Sequence, residues 1–502
     1  MPFSFINTVA SWMLKKRIHQ IELFEKYPLD VQNEELKKLI QISKNTEFGK
    51  QYDFSTIDSY KTFAERVPSF TYEEYFPIIN KTINGNQNIF WPEKIKWFAQ
   101  SSGTTNSKSK FIPVSNTSLD NCHFKGGKDM LCLYLNNNEN SNMFLGKSLR
   151  LGGSRKIYES NDHYFGDLSA ILIDNLPVWA ELISTPNNEI SLMDKWDEKI
   201  KAIIEGTLQE DVRSLAGVPS WMLTLLNKLL ETTGKKYIDE IWKNLEVYFH
   251  GGVSFKPYRS EFNNIISNKK FKYYEVYNAS EGFFAIQDQN ESDELLLMLD
   301  YGIFYEFIEI DSTNQSEKII NLSNVKVGVN YALLITTNSG LWRYKIGDTI
   351  VFTNLKPFRI KVSGRTKHFI NTFGEEVIIE NVEKSLEIAL SKYNCTIKDF
   401  TVAPLYMKNG KKGKHEWMIE FVKEPKSLDE FMKEIDFQIQ NNNSDYKAKR
   451  FKNITLDRPR LIKARKNLFY DWLKKKKKLG GQNKVPRLLN ERSFIEELIE
   501  MN

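Results

Sequence analysis

Cysteine is almost missing: 502 residues hold three, Cys122, Cys132 and Cys395. An odd count without paired C-x-x-C spacing excludes a disulfide framework and a cysteine-rich zinc site, and buried thiols in a reducing compartment are expected. Histidine is as thin, with six scattered residues, His19, His123, His163, His250, His368 and His415, each expected to be structural. No apolar run approaches the roughly 18 residues that a membrane span needs. The basic cluster Lys15–Arg17 follows the first apolar residues instead of preceding them, so a signal peptide is not expected, and the chain reads as cytoplasmic with no membrane partner. A G-x-S-x-G elbow and a G-x-x-x-x-G-K-[ST] loop are also missing, so neither a covalent acyl-enzyme nor a Walker-type phosphate site is implied.

Apolar surface is abundant. Hydrophobic residues make up 41% of the chain and aromatics 13%, which excludes a disordered polymer and supports large cores. At about 100–200 residues per domain the length implies two to four domains. Charge is uneven: residues 1–360 carry 40 basic and 44 acidic side chains, residues 361–502 carry 30 and 20. The excess is densest from Lys447 to Arg487, which includes the run Lys474–Lys478. That run reads as a solvated helix end, or as part of a mobile lid whose field draws polyphosphates.

Apolar residues recur at helical spacing over 5–26 up to Pro28, over Val31–Ile42, Asp58–Arg66, 115–135 with an interruption at Gly126 and Gly127, 168–184, 195–206 and 217–231. Pro219 suits a first helical turn, and Ser220 beside it reads as a buried helix start. LEVYFHGGVSF (Leu245–Phe255) and KYYEVYNASEGFFAI are apolar strands running into small residues, as at the ligand-binding edge of a parallel α/β sheet. Leu296–Val351 is strand-dense and is expected to form antiparallel structure packed on the main sheet, with Asp348 at a turn. Beyond residue 362 a linker leads to a helix over 377–392, strands over 399–407 and 415–422, and helices over 428–441 and 469–478. The fold class is therefore α/β, with a large domain of mixed sheets flanked by helices (1–362) and a smaller, mobile α+β domain (363–502).

The most informative stretch is KWFAQSSGTTNSKSKFIP, Lys96 to Pro113. Strand-like flanks enclose a loop in which Gly103 permits successive N–H groups to curl round an anion. Ser101, Ser102, Thr104 and Thr105 add hydroxyl donors, and Lys108 and Lys110 add charge. Such a loop is equally common as a plain solvated connection, and its meaning depends on the other motifs.

Those motifs are YNASEG (Tyr277–Gly282), WRYKIGD (Trp342–Asp348), GRTKHFINTFGEE (Gly364–Glu376) and GGQNKVPR (Gly480–Arg487). In this order, with SSGTT, they resemble the adenylate-forming superfamily, and within it the auxin-conjugating acyl acid amido synthetases of the Gretchen Hagen family. The resemblance covers nearly the whole chain. It implies ATP and Mg²⁺ as cofactors, a carboxylic acid activated as acyl-AMP with release of pyrophosphate, and transfer of the acyl group to the amine of an amino acid. It also implies roles. Ser101, Ser102, Gly103, Thr104 and Thr105 grip phosphates; Gly251 and Gly252 let the backbone approach adenine, which Tyr277 covers; Ser280 stands beside Glu281, the Mg²⁺ ligand; Asp348 and Arg365 hold the ribose. Lys484 bridges carboxylate and α-phosphate, forming the catalytic set with Glu281 and Thr105. The chain departs from the superfamily at Asn106, often glycine, and at Lys367, usually aspartate.

Transfer to coenzyme A or another thiol is the nearest alternative. A nucleic-acid or anionic-surface binder is a different class, disfavoured because the basic stretch carries no recognised nucleic-acid motif. A nucleotide-binding regulator that has lost catalysis is a third, disfavoured because the expected polar groups are all present. No nucleic acid partner and a monomer are the expectations.

Overall fold

The computed structural model describes residues 16–101, 110–153, 158–160, 162–193, 195–310, 318–365, 369–453, 455–476 and 485–502, without the side chains of 101, 158–160, 179, 196, 197, 256, 257 and 365. Strands β1 (Trp97–Ser101) and β2 (Lys110–Val114) flank the hydroxyl loop and pair antiparallel. After β3 (Lys147–Arg150), β4 (Tyr158–Ser160) and β5 (His163–Gly166) complete a four-stranded sheet ordered β2-β1-β5-β4. The chain then adds β6 (Ser184–Thr185), β7 (Val212–Gly217), β8 (Val247–Gly251) and β9 (Lys272–Ala279), which lie parallel with β3 in the order β6-β3-β7-β8-β9.

The same sheet continues through β10 (Gly282–Ile286), β11 (Leu295–Leu297), β12 (Ile303–Glu309), β13 (Ile319–Asn321), β14 (Asn330–Thr337), β15 (Tyr344–Leu355) and β16 (Phe358–Arg365). This corrects the expectation of a separate antiparallel layer. β11 pairs with β16 at Leu295↔Ile360, so the antiparallel strands extend the parallel sheet edge to edge. Every residue of β10 is buried, as are nearly all of β12 and β14, which explains why these segments read as unbroken apolar runs. The Asp348 expectation is also corrected: it lies within β15, opposite Arg365 of β16. Between the pairs Ala332↔Thr349 and Leu334↔Lys345, residues 346–348 face Leu333 alone. That bulge puts Gly347 at φ +93°, and a strand irregularity carrying a positive-φ glycine imitates a turn in sequence.

Helices cover the sheet. Residues 16–26 are helical, and Pro28 opens the next helix, Pro28–Ser43. Its buried Gln32 donates to the carbonyls of Leu299 and Ile303 and accepts from Tyr305 N–H, fixing the helix to β12. The helix Tyr72–Ile83 was not apparent from periodicity, although Thr71 and Glu74 form a capping box, a signature visible in the sequence. Gly126 and Gly127 do not interrupt helical structure, which runs through 116–137. A Cβ on Gly126 would stand 2.5 Å from the Phe283 ring, so the glycine serves close packing on β10 instead. The segment 168–184 divides into helices Leu168–Asp174 and Val178–Leu182, with Pro177 between them.

Trp342 and Arg343 of the WRYKIGD motif serve this architecture. The Trp342 indole N–H donates to Phe90 O, and Arg343 makes a bidentate pair with Glu306 while donating to the carbonyls of Ala64 and Val67. Past residue 368, β17 (Phe369–Ile370) and β18 (Val377–Ile378) flank a short loop, and β19 (Thr396–Leu405), β20 (Lys414–Lys423) and β21 (Arg460–Lys463) form a three-stranded sheet with the helices Ile379–Lys392, Leu428–Asn442, Ser444–Arg450 and Leu468–Lys475.

Candidate active site

A cleft of about 2410 Å³ runs along the ends of the parallel strands β7, β8 and β9, and residues beyond 368 form its other wall. Gly251 ends β8, and a Cβ there would lie 2.5 Å from Val276 O on β9, so no larger residue fits without moving the sheet. Gly252 follows at φ +82°, in the left-handed region that glycine reaches without strain. Ser280 and Glu281 are the two residues of the tight β9–β10 hairpin, whose register pairs Ala279 with Gly282. All four, with Tyr277 and Asp348, line the cleft.

The Tyr277 ring packs against Phe284 at a centroid distance of 4.9 Å, and its hydroxyl donates to Asp348 Oδ2 at 2.7 Å. Both residues are buried. Aromatic and carboxylate therefore form one rigid unit in the cleft wall. Glu281 is also buried, and its charge reaches Tyr72, whose hydroxyl is pushed up to about 12 chiefly by its own burial. Tyr72 in turn accepts from Phe111 N–H and lies under Lys110 Nζ. Tyr72, which senses the Glu281 charge, thus meets β2 at Phe111, close to where the hydroxyl loop ends. Of the other expected residues, Arg365 is described only by its backbone pairing with Asp348, and Ser101 only as the last residue of β1. Ser102, Gly103, Thr104, Thr105 and Lys484 lie outside the described residues.

The second wall holds residues that motif reading missed. The loop between β17 and β18 is fixed from both sides. Ser220 Oγ donates to Phe373 O and Tyr258 donates to Thr372 O, so Ser220 serves the fold as a buried helix start. From the other side Glu375 accepts from Phe373 N–H and is bonded to His415 Nε2 at 2.8 Å. Lys449, on the helix Ser444–Arg450, rests over Trp221 with Nζ 3.7 Å from the ring centroid. A Cβ on Gly374 would lie 3.2 Å from Lys449 Nζ and 4.0 Å from Val218 Cγ1, while one on Gly252 would lie 3.5 Å from Val218 Cγ2. Val218 therefore lies against both Gly252 and this loop. His250, preceding the pair, stacks on Phe255 at 4.0 Å and is held neutral by burial, its pKa lowered to about 3.

The sheet, part parallel and part antiparallel, and the small α+β unit beyond residue 368 together superpose on solved structures of other proteins. The acyl acid amido synthetase AtGH3.15, solved in complex with 2,4-DB, superposes with a TM-score of 0.61 at 16% identity, over 94% of this chain and 93% of that one. A 2-hydroxyisobutyryl-CoA ligase in its thioesterification state, with 2-HIB-AMP and CoA, superposes with a TM-score of 0.58 at 12% identity, over 94% and 91%.

Family models identify the family. The GH3 family N-terminal domain matches residues 17–271, the central domain 296–365 and the C-terminal domain 380–493. The chain belongs to the GH3 family. It is 24% identical over 409 residues to the indole-3-acetic acid-amido synthetase GH3.2 of Arabidopsis thaliana, covering 67% of this chain and 74% of the relative. It is 23% identical over 463 residues to the 4-substituted benzoates-glutamate ligase GH3.12 of the same plant, covering 76% and 78%.

Proposed function

We propose that this cleft joins a carboxylic acid to an amino acid amine at the expense of ATP, through an acyl-adenylate. The observation that carries the reading is the convergence of Gly251–Gly252, the Ser280–Glu281 hairpin and the Tyr277–Asp348 pair in one cleft of a GH3 chain. A carboxylate is a poor acylating agent because its oxyanion leaves badly, and transfer of AMP supplies a good leaving group.

The glycine pair admits the adenine against backbone, and the Tyr277 ring offers it an apolar face. Asp348, oriented by the Tyr277 hydroxyl, accepts from the ribose hydroxyls with Arg365 beside it. Ser101, Ser102, Gly103, Thr104 and Thr105 bind the phosphates. The donor present would fit Mg²⁺: the buried Glu281 carboxylate would offer the hard oxygen ligand that this ion takes together with substrate phosphates and waters. When bound, the ion would supply positive charge against the phosphates. Lys484 is assigned the bridge between the attacking carboxylate and the α-phosphate, because a compact positive charge there would lower the barrier to their approach.

In this reading residues 1–362 bind ATP and the acyl substrate, residues 363–502 act as a lid, and the protein works as a cytoplasmic monomer without a nucleic acid partner. Among the described residues no helix is long and apolar enough to cross a membrane. The test is to incubate the full chain with ATP, Mg²⁺ and a panel of aryl and alkyl carboxylic acids, adding the twenty amino acids or coenzyme A. Mass spectrometry should find acid-dependent amides; thioesters without amides would transfer the chain to the thiol-ligase class.

A further inference from the structure

The cleft contains a buried lysine with no part in the chemistry above. Lys449 is 7% exposed, and among the described residues its ammonium forms no hydrogen bond or ion pair, only the contact with the Trp221 face. The charged groups facing it are Asp445 on its own helix, Glu375 and Glu376 on the loop between β17 and β18, and Asp167 from the first half of the chain. Glu375 is engaged by His415 and by two backbone N–H groups. Burial outweighs these four fields and lowers the lysine from 10.5 to about 8. An appreciable share of the side chain is then neutral amine at mildly alkaline pH. Such a lysine is suited to receiving a proton.

The second half-reaction requires a proton acceptor. An amino acid arrives as an ammonium, which has no lone pair with which to attack a carbonyl. Resting on the acyl-adenylate reading, we propose that Lys449 is the general base that deprotonates the acceptor's ammonium group in the amide-forming step. One N–H bond of the acceptor breaks, its proton bonds to Lys449 Nζ, and its electron pair stays on the acceptor nitrogen. That nitrogen attacks the acyl carbon, the C–N bond forms, and the bond from the acyl carbon to the AMP oxygen breaks with its electrons leaving on AMP. The second ammonium proton departs to solvent as the amide forms. The location suits the step, because Lys449 and Trp221 line the same cleft as Tyr277, Glu281 and Asp348. Trp221 and the four carboxylates then stabilise the cation that Lys449 becomes.

The test uses the full chain and its Lys449→Gln and Lys449→Arg variants, comparing pyrophosphate exchange into ATP with single-turnover amide formation. With an amino acid acceptor, the ratio of amide formation to exchange should fall about 10²-fold in both variants. In the unaltered chain the amide rate should climb with pH through an inflection near 8, and the variants should lack it. Hydroxylamine, already neutral at pH 7, should show little change in the same ratio. Restoration of the amino acid rate by arginine, or an equal loss with hydroxylamine, would overturn proton transfer and leave a role in charge or packing. A normal ratio in Lys449→Gln would overturn it as well. If the unaltered chain supports neither exchange nor amide formation with any acid, the acyl-adenylate reading fails, and this inference falls with it.

Discussion

Tyr277 donates to Asp348 across four places of sheet order, from β9 to β15. At about 4.8 Å per strand a flat sheet would hold those strands roughly 19 Å apart. The antiparallel half must therefore curl back towards β9, bringing the aromatic and the carboxylate together in the cleft. If Asp348 holds the ribose, Asp348→Asn weakens ATP binding at least tenfold, since a charge-assisted hydrogen bond contributes about 1.5–3 kcal/mol. Tyr277→Phe, which keeps the ring and loses the orienting bond, has a smaller effect of the same sign. Calorimetric titration with ATP measures both, and unchanged affinity in Asp348→Asn removes the ribose assignment.

Arg343 stands five residues before Asp348 in the same motif, but its predicted effect is on stability. Its guanidinium and Glu306 are almost fully buried, and burial raises the Glu306 carboxyl while Arg343 opposes that rise. Removing one partner leaves the other charge buried and uncompensated. Glu306→Gln should cost about 3–5 kcal/mol in urea unfolding, with ATP affinity of the folded protein preserved. A loss of affinity without a loss of stability would contradict this division of labour within the motif.

How legible the site was depended on whether its signal was local. Tyr277, Ser280 and Glu281 lie within five residues of one another, on one strand and the turn that ends it, so the motif alone brought them together. Asp348 was recognised as a candidate, but its bulge read as a turn because Gly347 and an aspartate make the same pattern in either setting. The parallel strands β8 and β9 were plain from their apolar runs. Their continuity with the antiparallel strands was not, because it depends on the short strand β11 pairing with distant β16. Lys449 was hidden near the start of the basic stretch Lys447–Arg487, where nothing local marks one lysine as buried. Its burial comes from Trp221, far away in sequence, and neither neighbourhood marks the contact.

Lys449 also affects stability in a pH-dependent way. Its folded pKa of about 8 lies below the usual 10.5, so between those values the unfolded chain holds more protons. Stability from this group is complete above 10.5 and is lost as pH falls through 8. Lys449→Met should therefore be more stable than the unaltered chain at pH 7, by up to about 3 kcal/mol, and the gain should vanish above pH 10.5. Denaturant melts at both pH values check this, and an equal effect at both would show that the lysine is not held against its charge.

Gly126 offers a packing test away from the cleft. A methyl group there would meet the Phe283 ring at 2.5 Å, and overpacking of this kind costs about 1–3 kcal/mol. Gly126→Ala should lower the melting temperature although alanine is the better helix former. Stabilisation would mean that the helix is not held this close to β10.

Lys484 carries the catalytic weight of the adenylation step in the proposed mechanism. Lys484→Ala should slow adenylation by about 10²-fold or more, with stability changed by less than about 0.5 kcal/mol. Amide formation from synthetic acyl-adenylate should be much less affected. An equal fall in both half-reactions, or in neither, would contradict its assigned role.

The most direct measurement is isotope exchange between labelled pyrophosphate and ATP in the folded full chain, with Mg²⁺ and a broad carboxylic acid panel and no acceptor amine. Acyl-adenylate formation predicts exchange that appears with particular acids and disappears when acid or Mg²⁺ is withheld. No exchange with any acid, from protein whose fold is verified in the same sample, would contradict it.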